Sequence, residues 1–163
     1  MTRALLVLSC VAALVLVLVG LRRGWRSRLA RQAHLPPLPV VPLELGGPSL
    51  RATGLYVGTA FASSWQDRVL HGGLGERAAA AASLHPAGLL LTRQGAEPLF
   101  VPRAAWIEAR LAPALAGKVM GEGGLLVLRW RLGESELDTA FRADDKTTYP
   151  QWVRAINNGK VSA

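Results

Sequence analysis

Ser63, Ser64, Asp67 and His71 are the residue types of a hydrolytic triad, and they fall within one short segment. A working triad needs a nucleophile on a tight turn, a base in hydrogen-bond reach of it and a third group to orient that base. Neither serine carries a nucleophile motif, and all four residues share one loop. The next run, His71-Gly72-Gly73-Leu74-Gly75-Glu76-Arg77, has the glycines of a phosphate-cradling loop. It lacks the Lys-Ser/Thr ending of a P-loop and the GxGxxG spacing of a dinucleotide-binding turn, so its glycines are read as turn formers. His34, His71 and His85 are scattered, with no Cys or acidic pairing at metal-ligand spacing. The expectation is a chain without catalytic residues, metal or cofactor: not an enzyme.

What positions these residues begins with an apolar run of 18 residues, Ala4 to Leu21, followed by Arg22, Arg23, Arg26, Arg28 and Arg31. As a helix the run covers roughly 27 Å, close to the hydrocarbon thickness of a bilayer. Only Arg3 precedes it, so the arginine excess predicts a cytoplasmic C-terminal part by the positive-inside rule. A cleaved signal peptide is the competing reading. It meets one charge ahead of the run, five behind it and no small-x-small cleavage site at Val19-Gly20-Leu21-Arg22. A lipid-modified Cys10 is a third, with too few residues ahead of it for a usual signal. Arg22, Arg23, Trp25, Arg26, Arg28 and Arg31 are the expected contacts with the bilayer, arginines at the headgroups and Trp25 at the interface.

The formal charge of +8 is unevenly spread. Residues 1–32 hold six arginines and no acid, which leaves only +2 for the rest. A nucleic-acid partner, which would want a basic face on the folded part, is therefore not expected. The single cysteine lies in the apolar run, so no internal disulfide is possible. The high ratio of arginine to lysine suggests a bacterial genome rich in G and C.

Three segments are expected: anchor and basic flank at 1–32, a Pro-rich linker at 33–50, and one domain at 51–163. Pro36, Pro37, Pro39 and Pro42 argue for an extended spacer. Strands are predicted over 54–61, 78–84, 88–93, 98–102 and 105–111, with a polar, glycine-rich excursion at 63–77. The second of these is assigned as strand although alanine favours helix. Residues 124–142 carry the sharpest local signal. With Gly133-Glu134 as a type II′ turn, Trp130 meets Leu137, Leu128 meets Thr139 and Leu126 meets Phe141 on one face. Arg131 then meets Glu136, and Arg129 meets Asp138, on the other, so a one-residue slip would break both sets. A last helix over 148–158, capped by Thr148 and stopped at Gly159, presents Tyr149, Trp152, Val153 and Ile156 on one face. Asp144 and Asp145 are read as solvated charge before it.

A β-rich body ending in one amphipathic helix is the plan of pleckstrin-homology-like domains. The wording goes further. Tyr56-Val57-Gly58-Thr59, Trp65-Gln66-Asp67-Arg68-Val69, Phe100-Val101-Pro102, Ala116-Gly117-Lys118-Val119 and Leu137-Asp138-Thr139 resemble an actinobacterial family of single-pass membrane proteins with a bacterial PH-like domain. The resemblance implies a mainly β fold, a two-sheet sandwich or barrel closed by the C-terminal helix, behind one transmembrane helix. It implies no settled activity. Phosphoinositide-binding PH domains carry a basic cluster after the first strand, whereas here Arg68, His71 and Arg77 are offset by Asp67 and Glu76. The expected function is a membrane-tethered interaction or scaffold module at the bacterial plasma membrane, with the bilayer and another protein as partners. A lipid or small-ligand receptor, with a pocket beside the excursion, is the alternative. The expected contact surface is Trp65, Asp67, Arg68 and His71, with Gly117 and Lys118.

Overall fold

The computed structural model describes residues 11, 13–20, 22, 32, 35–119, 121 and 124–159. It divides into a unit at 1–34 and a unit at 35–163. In the first, Val11, residues 13–20 and Arg22 are helical with exposed side chains. Among the described residues no helix is long and apolar enough to cross a membrane. Much of the expected anchor, 4–21, and of its flank lies outside them.

Among its described residues the second unit has nine strands: β1 Leu50–Phe61, β2 Ala78–His85, β3 Gly88–Arg93, β4 Leu99–Pro102, β5 Trp106–Ala112, β6 Ala114–Leu115, β7 Lys118–Val119, β8 Leu125–Leu132 and β9 Ser135–Ala143. A C-terminal helix, Tyr149–Asn158, follows. Seven strands form one antiparallel sheet in the order β4-β3-β2-β1-β9-β8-β5, and β6 pairs with β7. The two packed layers expected of a sandwich or barrel are the two halves of this seven-stranded sheet, and β1 is why they are continuous. Its residues 50–56 pair with β2 while 54–61 pair with β9. A bulge between Tyr56 and Gly58, with Gly58 at φ 140°, bends the strand where the pairing changes hands.

The bend sets the two halves of the sheet face to face. Ala82, Leu89 and Leu91 from one half meet Leu126, Leu128 and Phe141 from the other, with Trp152 and Ile156 of the helix beside them. Small side chains on β2 suit that approach, and burial alternates along the strand at Ala80, Ala82 and Leu84. Tertiary packing thus overrides alanine's helical preference. The β8–β9 hairpin has the predicted register, Trp130 opposite Leu137 and Arg129 opposite Asp138. Gly133 has φ 59° and Glu134 does not share the positive φ, as the first glycine of a type II′ turn requires.

The helix buries Tyr149, Trp152 and Ile156, with Val153 partly buried. Its Asn157 amide donates to Ala109 O and accepts from Ala109 N, both at 2.9 Å, on the outer edge of β5. One side chain thereby replaces a neighbouring strand at that point. The cap differs from expectation. Asp145, not Thr148, accepts from Thr147 N at 2.9 Å, because a 3-10 turn at Lys146–Thr148 precedes the helix. Thr148 instead donates its hydroxyl to Asp145 O.

The Pro-rich segment is also placed differently. Leu35 is 5% exposed within the core and Leu38 packs against it. Pro36 lies over Gly133, where a Cβ would come within 3.1 Å of its ring. The segment expected as an extended spacer thus has Leu35 and Leu38 packed on the folded unit.

Candidate functional site

The excursion between β1 and β2 and the small β6–β7 hairpin are about 50 residues apart along the chain, yet they meet. Arg68 makes the join. Its guanidinium donates to Gly75 O at 2.5 Å, within its own loop, and to Ala116 O at 2.5 Å, in the hairpin. Gly117 N adds a bond to Trp65 O at 3.3 Å. Charged donors to carbonyls are the stronger class of hydrogen bond, so this corner is held firmly. The hairpin turn is built from Ala116 at φ 51° and Gly117 at φ 71°. Ala116 tolerates the left-handed region while 2% exposed, and its Cβ would lie 3.3 Å from a side chain at Gly58. The β1 bulge and this turn therefore fit each other.

Beneath the excursion lies a buried polar line. Tyr56 donates its hydroxyl to Leu74 O at 2.7 Å and shares a 2.8 Å bond with Thr59 Oγ1. Thr59 continues to Thr139 at 2.8 Å, which accepts from Trp130 Nε1 at 2.9 Å. Burial pushes the Tyr56 phenol up to about 12, against the pull of its bond to Thr59 and of the nearby Arg93 and Arg68 charges. It therefore acts as a hydroxyl at any physiological pH. Arg93, 4% exposed, stands 5.0 Å over the Tyr56 ring and donates to Gly73 O at 2.7 Å. Its other bonds go to Glu97 O, so one guanidinium ties the excursion to the β3–β4 turn.

The sequence reading missed Arg93, Tyr56 and Thr139 as organisers. The signal for Arg93 was present, because the alternation that buries Leu89 and Leu91 turns position 93 inward as well.

What these anchors present to solvent is a small mixed surface. Trp65 is 43% exposed, Val119 is 72% exposed, and Gly117 and Lys118 are exposed beside them. Of the expected contact residues, Trp65, Gly117 and Lys118 are brought together at the join. Arg68 is spent on holding it. Asp67 and His71 are half-buried further along the excursion. No hydrogen bond joins the side chains of Ser63, Ser64, Asp67 and His71 among the described residues. No group of three His, Cys, Asp or Glu suited to a metal occurs among them either. Of the expected bilayer contacts, Arg22 is exposed on its helix; Arg23, Trp25, Arg26, Arg28 and Arg31 lie outside the described residues.

Grooves lined by described residues border the sheet. One of about 660 Å³ is lined by Arg51, Thr53, Ala81, Ser83, Asp144 and Asp145, and touches nothing in 63–77. Both aspartates are exposed, as expected of solvated charge, and each also makes a local hydrogen bond. Asp144 accepts from Thr53 Oγ1 at 2.9 Å, and Asp145 is held below the usual carboxylate range by its bonds from Thr147. A second groove of about 410 Å³, at the root of the excursion, is lined by Phe61, Ala62, Ser63, Arg129, Ser135 and Glu136. On that outer face Asp138 is almost fully buried, bonded by Arg129 at 2.8 Å and by Arg110 at 2.5 Å. The predicted Arg129–Asp138 pair is present, and Arg110 shares its buried carboxylate.

Compared with known proteins, residues 35–157 match the family described as bacterial PH domain-like. No curated protein matches the chain at a significant level.

Proposed function

The chain belongs to the bacterial PH domain-like family, and on that premise we propose that it is a non-catalytic interaction module whose target is another protein. The observation behind this reading is the join made by Arg68. It brings two distant segments together and leaves Trp65 and Val119 exposed on a surface whose backbone is tied down. A half-exposed tryptophan on a rigid support, bordered by a lysine, has the make-up of an interface anchor. In this proposal residues 4–21 tether the module to the bacterial plasma membrane as a single pass. The arginines after them touch anionic headgroups and keep the domain in the cytoplasm.

The test uses the full chain, tagged after Ala163 and cross-linked in membranes. Capture of one defined protein by the wild type, lost in Trp65→Ala and in Lys118→Glu, supports the reading. Capture indifferent to both substitutions overturns it. The alternative, a lipid or small-ligand receptor, draws on the groove at the root of the excursion. It predicts anionic-vesicle binding that falls with Arg129→Ala and not with Trp65→Ala. Paired reporters fused after Ala163, one active only in the cytoplasm and one only outside, test the orientation.

A further inference from the structure

The groove of about 660 Å³ at the head of β1 has two ends of opposite charge. Arg51 and Thr53 alternate on β1, as Ala81, Ser83 and His85 do on β2. The register sets Arg51 opposite Ser83 and Thr53 opposite Ala81, so all five side chains share one face of the sheet. Thr53, Ala81 and Ser83 are small, which leaves the groove its depth, and Arg51 and His85 stand at one end. At the other end the Asp144 carboxylate accepts from the Thr53 hydroxyl at 2.9 Å, and Asp145 follows it. Arg51 makes no hydrogen bond or ion pair among the described residues, and neither aspartate is paired with a cation. Two residues of strand, about 7 Å, separate Arg51 from Thr53. One neutral group adds direction. Gly46 O can only accept, so its 2.8 Å bond puts the proton of the neutral His85 ring on Nδ1. Nε2 then accepts, at 3.0 Å, from the Ser83 hydroxyl. With its proton held there, Ser83 Oγ offers the groove only lone pairs.

We propose that this groove binds a short peptide with free ends, its carboxylate on Arg51 and its ammonium on Asp144 and Asp145. Three features define that ligand. Unpaired opposite charges along one groove call for a zwitterion, because a simple anion or cation would also meet a like charge. Their spacing excludes a single α-amino acid, whose two charges are separated by one carbon. Ser83 Oγ, an acceptor opposite Arg51, calls for an N–H donor near the carboxylate end. The last peptide bond of a short peptide supplies one, and an ω-amino acid does not. The volume lies within the range of about 300–1,000 Å³ usual for small-ligand sites. The groove touches nothing in 63–77, so this site is separate from the surface carrying Trp65 and goes beyond the function proposed above.

The probe is trialanine with free ends, titrated into the isotopically labelled full chain in micelles of a non-ionic detergent. Saturable shifts of the Arg51, Ser83 and Asp144 amide signals are expected at millimolar peptide. Amidating the carboxylate or acetylating the amine should each weaken binding about 3- to 10-fold, as loss of one exposed ion pair does. Arg51→Gln should weaken the free acid by that factor and leave the amide unchanged. Asp144→Asn combined with Asp145→Asn should do the same to the free amine and spare the acetylated peptide. Such matched losses say which charge meets which. 6-Aminohexanoate, with both charges and no peptide N–H, should bind more weakly than trialanine. Trp65→Ala should change nothing, and Arg51→Gln should keep the unfolding midpoint, since that side chain is exposed and unpaired. Absence of saturable shifts, binding that survives capping of both ends, or equal losses for free and capped peptides in either variant would each overturn the proposal. Equal affinity for 6-aminohexanoate and trialanine would overturn the assignment to a peptide.

Discussion

Replacing Tyr56 by phenylalanine removes one oxygen from beneath the excursion and tests the whole account of how that surface is held. The hydroxyl has two partners, but neither is left bare. Leu74 O still accepts from Thr59 N at 3.0 Å, and Thr59 still bonds Thr139. The loss at neutral pH is therefore that of a net hydrogen bond, about 1 kcal/mol. The larger effect is in alkali. Burial raises the phenol from 10.0 to about 12, so between those values the folded protein holds a proton that the unfolded chain has released. The stabilisation is fully present below pH 10 and is lost as pH rises through the folded value, amounting to roughly 2–3 kcal/mol. Urea unfolding followed by tryptophan fluorescence at pH 8, 10 and 11.5 should show a steep fall for the wild type. Tyr56→Phe should start lower and fall less. Some slope should remain, because the other tyrosine, Tyr149, is also raised by burial. Parallel pH profiles for the two proteins would refute the buried-phenol argument.

Asp138→Asn should destabilise by about 1–3 kcal/mol in urea titration, less than a fully buried pair would cost, since Arg110 and Arg129 keep some contact with water. Asn157→Ala should cost about 1–3 kcal/mol by leaving Ala109 N and O unpaired. The same variant should show concentration-dependent light scattering, because the β5 edge is then open. In Arg68→Ala, hydrogen exchange should speed up over 68–75 and 114–119 while the C-terminal helix keeps its protection; uniform change across the domain would contradict the local role given to Arg68.

The β8–β9 hairpin was legible because two independent patterns, apolar pairs on one face and charge pairs on the other, fix a single register. The terminal helix was legible from its apolar spacing, but its cap was not, since nothing local distinguishes Asp145 from Thr148 as acceptor when a 3-10 turn intervenes. The excursion was legible as a polar, glycine-rich break between strands, and Gly117 and Lys118 were read as contacts beside it. That Arg68 would bind one to the other depends on the bend in β1, a property of the pairing rather than of any segment alone. The same bend makes the two packed layers halves of one sheet. Composition identified the prolines as a break from helix and was silent on whether that backbone would lie against the domain. Leu35 and Leu38 decide that through packing, and a pattern of two leucines among prolines does not reveal it.

The strand shared between both halves also governs the order in which the chain can be built. Thr59 finds its partner Thr139 only after a further 80 residues. At a synthesis rate of about 5–20 residues per second, roughly 4–16 s pass between the emergence of the two. During that time β1 to β4 can pair as local hairpins, since each neighbour in that half follows directly in sequence. The other edge of β1, with the apolar inner faces of that half, waits for the last strand. A chain made to β4 thus has a half-sheet with an open edge, and closure comes only once β9 has been made. Truncation anywhere before Ala143 leaves that half-sheet without the cover it needs, an aggregation-prone product rather than a smaller domain.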